Sequence, residues 1–402
     1  MDLTGKKIVL GMTGGIACYK VAELTRGLVK AGATVQVVMT QAATHFMTPV
    51  TMQALSNRPV FTDQWDARVD NNMAHIDLTR DADAIVIAPC SADFMSKLAH
   101  GACDDLLSTL CLARRNKVPL LIAPAMNVEM WQNAATQRNV EQLKSDHVIL
   151  LGPDAGDQAC GETGMGRMLE PEQILDDVIA LFQPKAMAGK LVMITAGPTF
   201  EPIDPVRGIT NLSSGKMGYA IARAAREAGA EVLLISGPTA LRTPFGVQRI
   251  NVLTAEQMHD VVMSHVSDQD VFIAVAAVAD WRVANMSEQK LKKDAHGHPP
   301  KLVFEQNPDI LAEVAALPRK PYCVGFAAES ENLLKNGKAK RSKKNVPLLV
   351  GNIGHETFGK DDNELVLFDV KGQTHFPRAE KLDLARRLIA AIASRLDAES
   401  AS

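Results

Sequence analysis

The sequence predicts an α/β protein made of two doubly wound parallel sheets, and three observations predict it. Short continuous apolar runs alternate with stretches of helical spacing, as strands buried on both faces alternate with their covering helices. Each half opens on such a run followed by a Gly-rich turn. The pattern restarts near the middle of the 402 residues, which at about 150 residues per domain leave room for two or three cores.

The elements follow in order. Residues 7–10 read as a first strand, punctuated by Gly11, Gly14 and Gly15. Residues 16–31 place Ala17, Val21, Leu24 and Leu28 at helical spacing, and Gly32 stops the helix. Residues 34–39 read as a second buried strand, and 84–88, 119–123 and 148–151 as further ones. The second half repeats this grammar. Gly5 and Lys6 before the first run are echoed by Gly189 and Lys190, and the helix and strand ending at Met39 by 219–235. The stretch 81–93 is echoed by 268–280. Two domains, 1–188 and 189–402, with Pro184 in the linker, explain the restart; the echo is also what any βαβ grammar would produce.

Composition narrows the function. With 43 Lys+Arg against 46 Asp+Glu the net charge is −3, which gives no field for gathering nucleic acid or an acidic membrane. Aromatics at 4% leave little stacking surface for single strands. The six cysteines, at 18, 90, 103, 111, 160 and 323, form no CxxC pair and no zinc-spaced cluster. The first apolar run is too short for a signal peptide, and no stretch approaches the about 20 apolar residues of a membrane span. The expectation is a cytoplasmic protein handling small molecules, without nucleic-acid or membrane partners.

Neither Gly-rich turn fits the dinucleotide pattern. The first has Thr13, Gly14 and Gly15, the second Ala196, Gly197, Pro198 and Thr199. The acid that would grip an NAD ribose after strand two is replaced by Thr40 in one half and Ser236-Gly237 in the other. An NAD dehydrogenase is therefore disfavoured. The stretch 213–217 superficially resembles a phosphate loop, but Lys216 is followed by Met217 where a magnesium-binding Ser or Thr should stand. It reads as a helix start offering N–H groups to an anion, or as an ordinary N-cap made by Ser213 or Ser214.

Several residues could carry chemistry. His75 precedes a segment leading into a buried strand, as a base or as a satisfied polar group. Asn127 follows the run at 119–123, so it stands at the carboxyl edge of the sheet, as a ligand contact or as a helix cap. Cys160 sits in a loop with three glycines that could fold over a ligand and present a thiol, or be a simple hairpin. In the second half Asp280 ends a buried strand, and a basic run from Lys335 to Lys344 follows. That run is either a solvated helix face or a set of cations for a triphosphate.

Together these residues resemble the bacterial bifunctional proteins of coenzyme A biosynthesis, phosphopantothenoylcysteine decarboxylase fused to phosphopantothenate–cysteine ligase. The resemblance spans essentially the whole chain. It rests on Thr13 to Ala17, His75, Pro124 to Asn127, Ala159-Cys160-Gly161 and Gly166-Arg167-Met168 in the first half. In the second it rests on Thr195 to Thr199, Asp204 to Arg207, Asn211 with Ser213 to Gly218, Ala276 to Asp280, Lys290 to Lys293, and Asn307 to Ile310. Cys18 and Cys90 stand where the family often has Ala, a change a small thiol tolerates.

The resemblance implies a flavodoxin-like flavoprotein domain with FMN lined by Thr13, Gly14, Gly15, Thr40, Ser91 and Ala92. FMN oxidises the cysteine thiol of 4′-phosphopantothenoylcysteine toward a thioaldehyde, which gives the decarboxylation its electron sink. His75 then acts on the base side, Asn127 grips the departing carboxylate, and Cys160, with an ordinary thiol pKa of about 8.5, donates the proton that yields 4′-phosphopantetheine. The second half is implied to join cysteine to 4′-phosphopantothenate through an acyl-cytidylate, releasing pyrophosphate and then CMP. Lys290 assists acyl-cytidylate formation and Asn211 its conversion with cysteine. CTP contacts fall on Ala274, Asp280, Lys290, Asn307, Pro308, Asp309, Ile310, Phe326, Lys340 and Lys344. Mg²⁺ accompanies CTP, its protein ligand open apart from Asp280. Three-fold packing of flavin halves and two-fold packing of ligase halves would give a homo-oligomer, a dodecamer. The rival readings are a flavin decarboxylase of another cysteine-terminated substrate with an inert second half, and a flavin-domain regulator without turnover.

Overall fold

The apolar runs of the first half pair as five parallel strands in a computed structural model that describes residues 2–66, 68, 73–159, 161–292, 300–329, 333–353 and 359–400. The chain divides into two compact units, Met1–Phe182 and Gln183–Ser402. In the first, the strands are β1 (Lys7–Met12), β2 (Thr34–Met39), β3 (Ala84–Cys90), β4 (Leu120–Pro124) and β5 (Ile149–Leu150). Their order is β2-β1-β3-β4-β5, the flavodoxin-like winding, with its switch between β1 and β3. Helices α1 (Cys18–Lys30), α2 (Pro49–Ser56), α3 (Ala74–Arg80), α4 (Ala92–His100), α5 (Leu106–Ala113), α6 (Val128–Gln132), α7 (Ala134–Ser145) and α8 (Pro171–Leu181) connect and flank them. A hairpin of β6 (Asp154–Asp157) and β7 (Thr163–Arg167) stands apart from the sheet.

Every residue of β3 and β4 is buried, because helices cover both faces of these central strands. Ile85, Ile87, Leu120 and Ile122 pack with Phe94, Leu107 and Leu110 of α4 and α5. Each such side chain contributes about 1.5–3 kcal/mol of burial. The helix expected over 16–31 begins two residues later, at Cys18, and the two preceding residues stay in the turn at the sheet's edge.

The second unit holds β8 (Leu191–Ala196), β9 (Phe200–Pro202), β10 (Gly208–Thr210), β11 (Glu231–Ser236), β12 (Gln248–Asn251), β13 (Val271–Ala274), β14 (Trp281–Val283), β15 (Phe304–Gln306), β16 (Tyr322–Glu329), β17 (Leu348–Ile353), β18 (Asp362–Asp369) and β19 (Gly372–Glu380). Its helices are α9 (Lys216–Glu227), α10 (Ala255–His265), α11 (Ile310–Ala315), α12 (Leu333–Lys344) and α13 (Lys381–Ser400). The eight-stranded sheet runs β12-β11-β8-β13-β16-β17-β18-β19. Its first six strands are parallel in dinucleotide-fold order, with the switch between β8 and β13. The last two are antiparallel, which the sequence reading did not anticipate. Alternate residues serve opposite faces: Val192 and Ile194 face α9 and α13, and Met193 faces the α10–α11 side. Gly218 lets α9 lie close on β8, since a Cβ there would stand 2.5 Å from Cβ of Ala196.

Candidate functional site

In each unit a threonine seam brings strand ends together. Thr13, just past β1, is buried; its hydroxyl donates to Pro89 O at 2.7 Å and accepts from Ser91 N at 2.9 Å. Ala125 N donates to Cys90 O, and Met126 N donates to Gly166 O at 2.9 Å. The carboxyl ends of β1, β3 and β4 and the β6–β7 hairpin thus form one continuous edge. Gly166 is required there: its φ is +133°, and a Cβ would fall 2.4 Å from Met126 O.

Asn127 lies on this edge as a helix cap, one of the two roles its sequence context allows. As N-cap of α6 its Oδ1 accepts from Glu129 N at 2.8 Å, and its Nδ2 donates to the carboxylate of Glu162. A cleft of about 340 Å³ opens beside it, lined by Gly15, Ala17, Lys20, Asn127, Gln158 and Arg167. Gln158 holds Val128 N at 3.0 Å and also binds Glu162 O and Gly161 N through its backbone. Cys160 lies outside the described residues.

The remaining first-half candidates do not line this cleft. Ser91 caps α4 by accepting from Phe94 N at 3.2 Å, and Ala92 begins that helix. Thr40 donates its N–H to Met12 O and accepts from Ala43 N. Gly14 packs on Ala42, where a Cβ would come within 2.6 Å of Cβ of Ala42. His75 is half-buried on α3, which leads into β3; among the described residues no polar side-chain contact joins it to Asn127 or the Thr13 turn. The start of α1 has neither a side-chain cap nor an acid in its first turn. The start of that helix fits an anionic mononucleotide, while the ammonium of Lys20 beside it is already held by Glu170 at 2.9 Å and by Met168 O at 3.1 Å. Four other thiols are poor reagents, since burial pushes Cys18 and Cys90 up and raises Cys111 to about 12 and Cys323 to about 11, whereas Cys103 is exposed.

In the second unit Thr195 Oγ1 accepts from Ala276 N at 3.3 Å, and Thr199 Oγ1 accepts from Ala279 N at 3.0 Å. Ala277 N donates to Gly197 O, and Thr199 N to Ala277 O. Residues 275–280 therefore leave the sheet and wrap the turn after β8. Asp280 does not end a buried strand, contrary to expectation: β13 stops at Ala274, and Asp280 is exposed just ahead of β14. The tight turn at Gly197 captures those backbone groups before the strand can run on.

Two hollows meet at Asn211. One, of about 200 Å³, is lined by Asn211, Gly215, Lys216, Phe326, Asn352 and Lys381. The other, of about 650 Å³ and more open, is lined by Ile209, Asn211, Ala279, Asp280, Trp281 and Phe304. Neither Ser213 nor Ser214 caps α9; its N-cap is Gly215 at φ +76°, with no side-chain cap and no acid in the first turn. Lys381 is buried. Burial and the neighbouring Lys216 both lower its pKa, and it donates to Lys360 O. Lys216 donates to Asp361 at 2.7 Å.

Asn307 is buried and braces the rim: Nδ2 donates to Ala279 O at 2.8 Å, and Arg282 donates to its Oδ1 at 3.1 Å. Pro308 follows, Asp309 caps α11 and pairs with Lys344, and Ile310 is buried. Lys340 pairs with Glu329 at 2.6 Å, at the end of the strand carrying Phe326. Ala274, the last residue of β13, sits between Thr195 and Gly325. The basic run is thus a helix whose two candidate lysines already have acids. Lys290 is exposed and lines neither hollow. Among the described residues no group of three or more His, Cys, Asp or Glu could hold a metal ion, and no helix is long and apolar enough to cross a membrane. Sequence reasoning missed Asn352, Asn363 and Lys381, which line the smaller of the two hollows. Asn352 had a signal, a polar residue closing the apolar run of β17; Lys381 had none.

Comparison with known proteins agrees with both halves. Residues 1–183 match the Flavoprotein family, and residues 187–396 match the DNA/pantothenate metabolism flavoprotein C-terminal domain. The chain is 48% identical to the coenzyme A biosynthesis bifunctional protein CoaBC of Vibrio cholerae, over 96% of this chain and 97% of that one. It is 46% identical to the Escherichia coli protein of that name, over 99% of both, and 40% identical to that of Bacillus subtilis, over 98% of both. The chain belongs to the family of bifunctional coenzyme A biosynthesis proteins, enzymes with a flavoprotein decarboxylase half and a ligase half.

Proposed function

We propose that the second unit joins cysteine to 4′-phosphopantothenate at the expense of CTP and that the first unit, with FMN, decarboxylates the product to 4′-phosphopantetheine. The single observation that carries the ligase assignment is Asn211, standing where a polar, cation-lined hollow meets an aromatic-walled one. The first suits nucleotide phosphates, with Lys216, Lys381 and the open start of α9. The second suits the acyl chain, with Trp281 and Phe304. The substrate carboxylate attacks the α-phosphorus as pyrophosphate leaves; the cysteine amine then attacks the carbonyl as CMP leaves. Lys290, on a loop outside both hollows, would extend its side chain to the separating phosphates as their cation, and Asn211 orients the mixed anhydride for the amine. Asp280, the Asn307–Ile310 turn and Phe326 hold the nucleoside, with Lys340 and Lys344 behind them. Mg²⁺ would rest chiefly on phosphate and water oxygens, with Asp280, an acid lining the more open hollow, available to it.

In the first unit Asn127 supports the reading, because its amide already holds a carboxylate, that of Glu162. A substrate carboxylate would take that place. FMN, held by the turn at 13–15 with Thr40, Ser91 and Ala92, supplies the oxidation that makes decarboxylation possible. His75 serves the base side, and Cys160 returns a proton. The reading carries a cytoplasmic homo-oligomer, a dodecamer; Ile16 and Tyr19, each 63% exposed at the cleft, are apolar surface that a neighbouring subunit would cover. The two intact hollows around Asn211 speak against an inert second half.

Pyrophosphate release from CTP that requires 4′-phosphopantothenate, together with carbon dioxide release from 4′-phosphopantothenoylcysteine, tests the proposal. Release driven equally by ATP would remove the CTP assignment, and absence of carbon dioxide would remove the decarboxylase.

A further inference from the structure

One buried charge has no part in the steps above. The side chain of Asp204 is fully shielded from solvent, in the turn between β9 and β10. A carboxylate so placed is tolerated only when its oxygens are satisfied. Its Oδ1 accepts from Val206 N and Arg207 N, each at 2.9 Å. Its Oδ2 accepts from Arg207 Nε at 3.0 Å and from Leu291 N at 3.1 Å, far along the chain. Arg207 completes the grip, donating from Nη2 to Leu291 O at 2.9 Å. Ser287 N donates to Ile203 O at 3.1 Å, and the Ser287 hydroxyl closes the loop on Gln289 O at 2.7 Å.

Residues 287–291 are therefore fastened to residues 203–207 at several points, and Lys290 lies among them. Among the described residues the Lys290 ammonium has no hydrogen-bond or ion-pair partner, so its backbone alone sets its place. The same turn leads through β10 directly to Asn211. We infer that Asp204 is a positioning residue for the first ligase step: with Arg207 it clamps the Lys290 loop onto the hairpin that carries Asn211. A lysine on a free loop would spread its charge over many ångströms, and displacement of about 1 Å can cost about 100-fold in rate. The guanidinium of Arg207 and the backbone donors hold the carboxyl of Asp204 well below the usual carboxylate range, so the clamp stays charged at any working pH.

This inference rests on the ligase reading of the second unit, and two half-reactions on the full chain test it. The first is pyrophosphate release from CTP and 4′-phosphopantothenate without cysteine. The second is consumption of isolated acyl-cytidylate by cysteine. Asp204→Asn should slow the first at least tenfold with KM for CTP within about twofold, and leave the second unchanged. Leu291→Pro, which removes the N–H given to Asp204 and also constrains the backbone at 291 and at Lys290, should show the same one-sided loss. Equal losses in both half-reactions, or an unchanged first half-reaction in Leu291→Pro, overturn the inference. A wild-type protein that releases no pyrophosphate overturns the ligase reading itself, and this inference with it.

Discussion

The hydroxyl of Thr13 donates to the carbonyl of Pro89 at 2.7 Å, which bolts the Gly-rich turn after the first strand to the end of the third. The same oxygen accepts from Ser91 N, so one buried hydroxyl satisfies a donor and an acceptor at once. Thr13→Val keeps the shape, strands Ser91 N, and leaves Pro89 O only the longer bond from Thr13 N at 3.3 Å. The variant should lose about 1–3 kcal/mol of stability and should purify with less bound flavin than wild type. Urea denaturation and the absorbance of the purified protein read the two effects, and full flavin content would contradict the placement of this turn in the site.

Asn127 separates structure from chemistry. Asp caps a helix as well as Asn does, so Asn127→Asp should keep its bond to Glu129 N and melt within about 1 kcal/mol of wild type. It would also set a second carboxylate against Glu162 and repel the substrate's own. Carbon dioxide release should fall at least 100-fold while amide formation by the second unit continues. Undiminished decarboxylation would end the carboxylate-binding role.

Lys381 lines the smaller hollow beside Lys216, whose ammonium is already shared with Asp361, and on the proposed reading both lysines would meet the outer phosphates of CTP. A charge-assisted bond contributes about 1.5–3 kcal/mol, and about 1.4 kcal/mol is tenfold in affinity. Lys381→Met should therefore weaken CTP binding at least tenfold and leave CMP within about twofold, measured by titration calorimetry. Equal weakening of both nucleotides would place Lys381 away from the outer phosphates.

Much of this was legible beforehand, for a physical reason. Strands buried on both faces are written as unbroken apolar runs, and the run at 84–88 lies within β3, whose every residue is buried. Asn127 was legible because it follows such a run at the edge where α/β sheets bind ligands. The antiparallel pair β18 and β19 was not, since the exposed edge strand Gly372–Glu380 has no such run. Asp280 was misplaced because residues 275–279 are as apolar as β13; only the turn at Gly197, which takes their backbone groups, shows that they leave the sheet. Lys381 was invisible because its place in the hollow depends on the last strands folding back beside β17.

His259 offers a pH test of the scaffold under the Asn307–Ile310 turn. It bridges α10 to Glu313 of α11 at 2.8 Å and also touches Asp260. Burial pulls its pKa down, but the two carboxylates outweigh it and leave the imidazole above its ordinary value. Stability from this bridge is thus fully present below about pH 6.5, the unfolded pKa, and is lost as pH rises through the higher folded value. The loss should be a few tenths to about 1 kcal/mol. His259→Gln should flatten the stability difference between about pH 5.5 and 8.5, and an unchanged slope would assign it to other groups.

The most direct test of the whole account is mass spectrometry of one mixture: purified protein with 4′-phosphopantothenate, cysteine, CTP and magnesium. The account predicts that 4′-phosphopantetheine, CMP and pyrophosphate appear and that 4′-phosphopantothenoylcysteine passes through as an intermediate. A mixture in which neither 4′-phosphopantothenate nor CTP is consumed would contradict it.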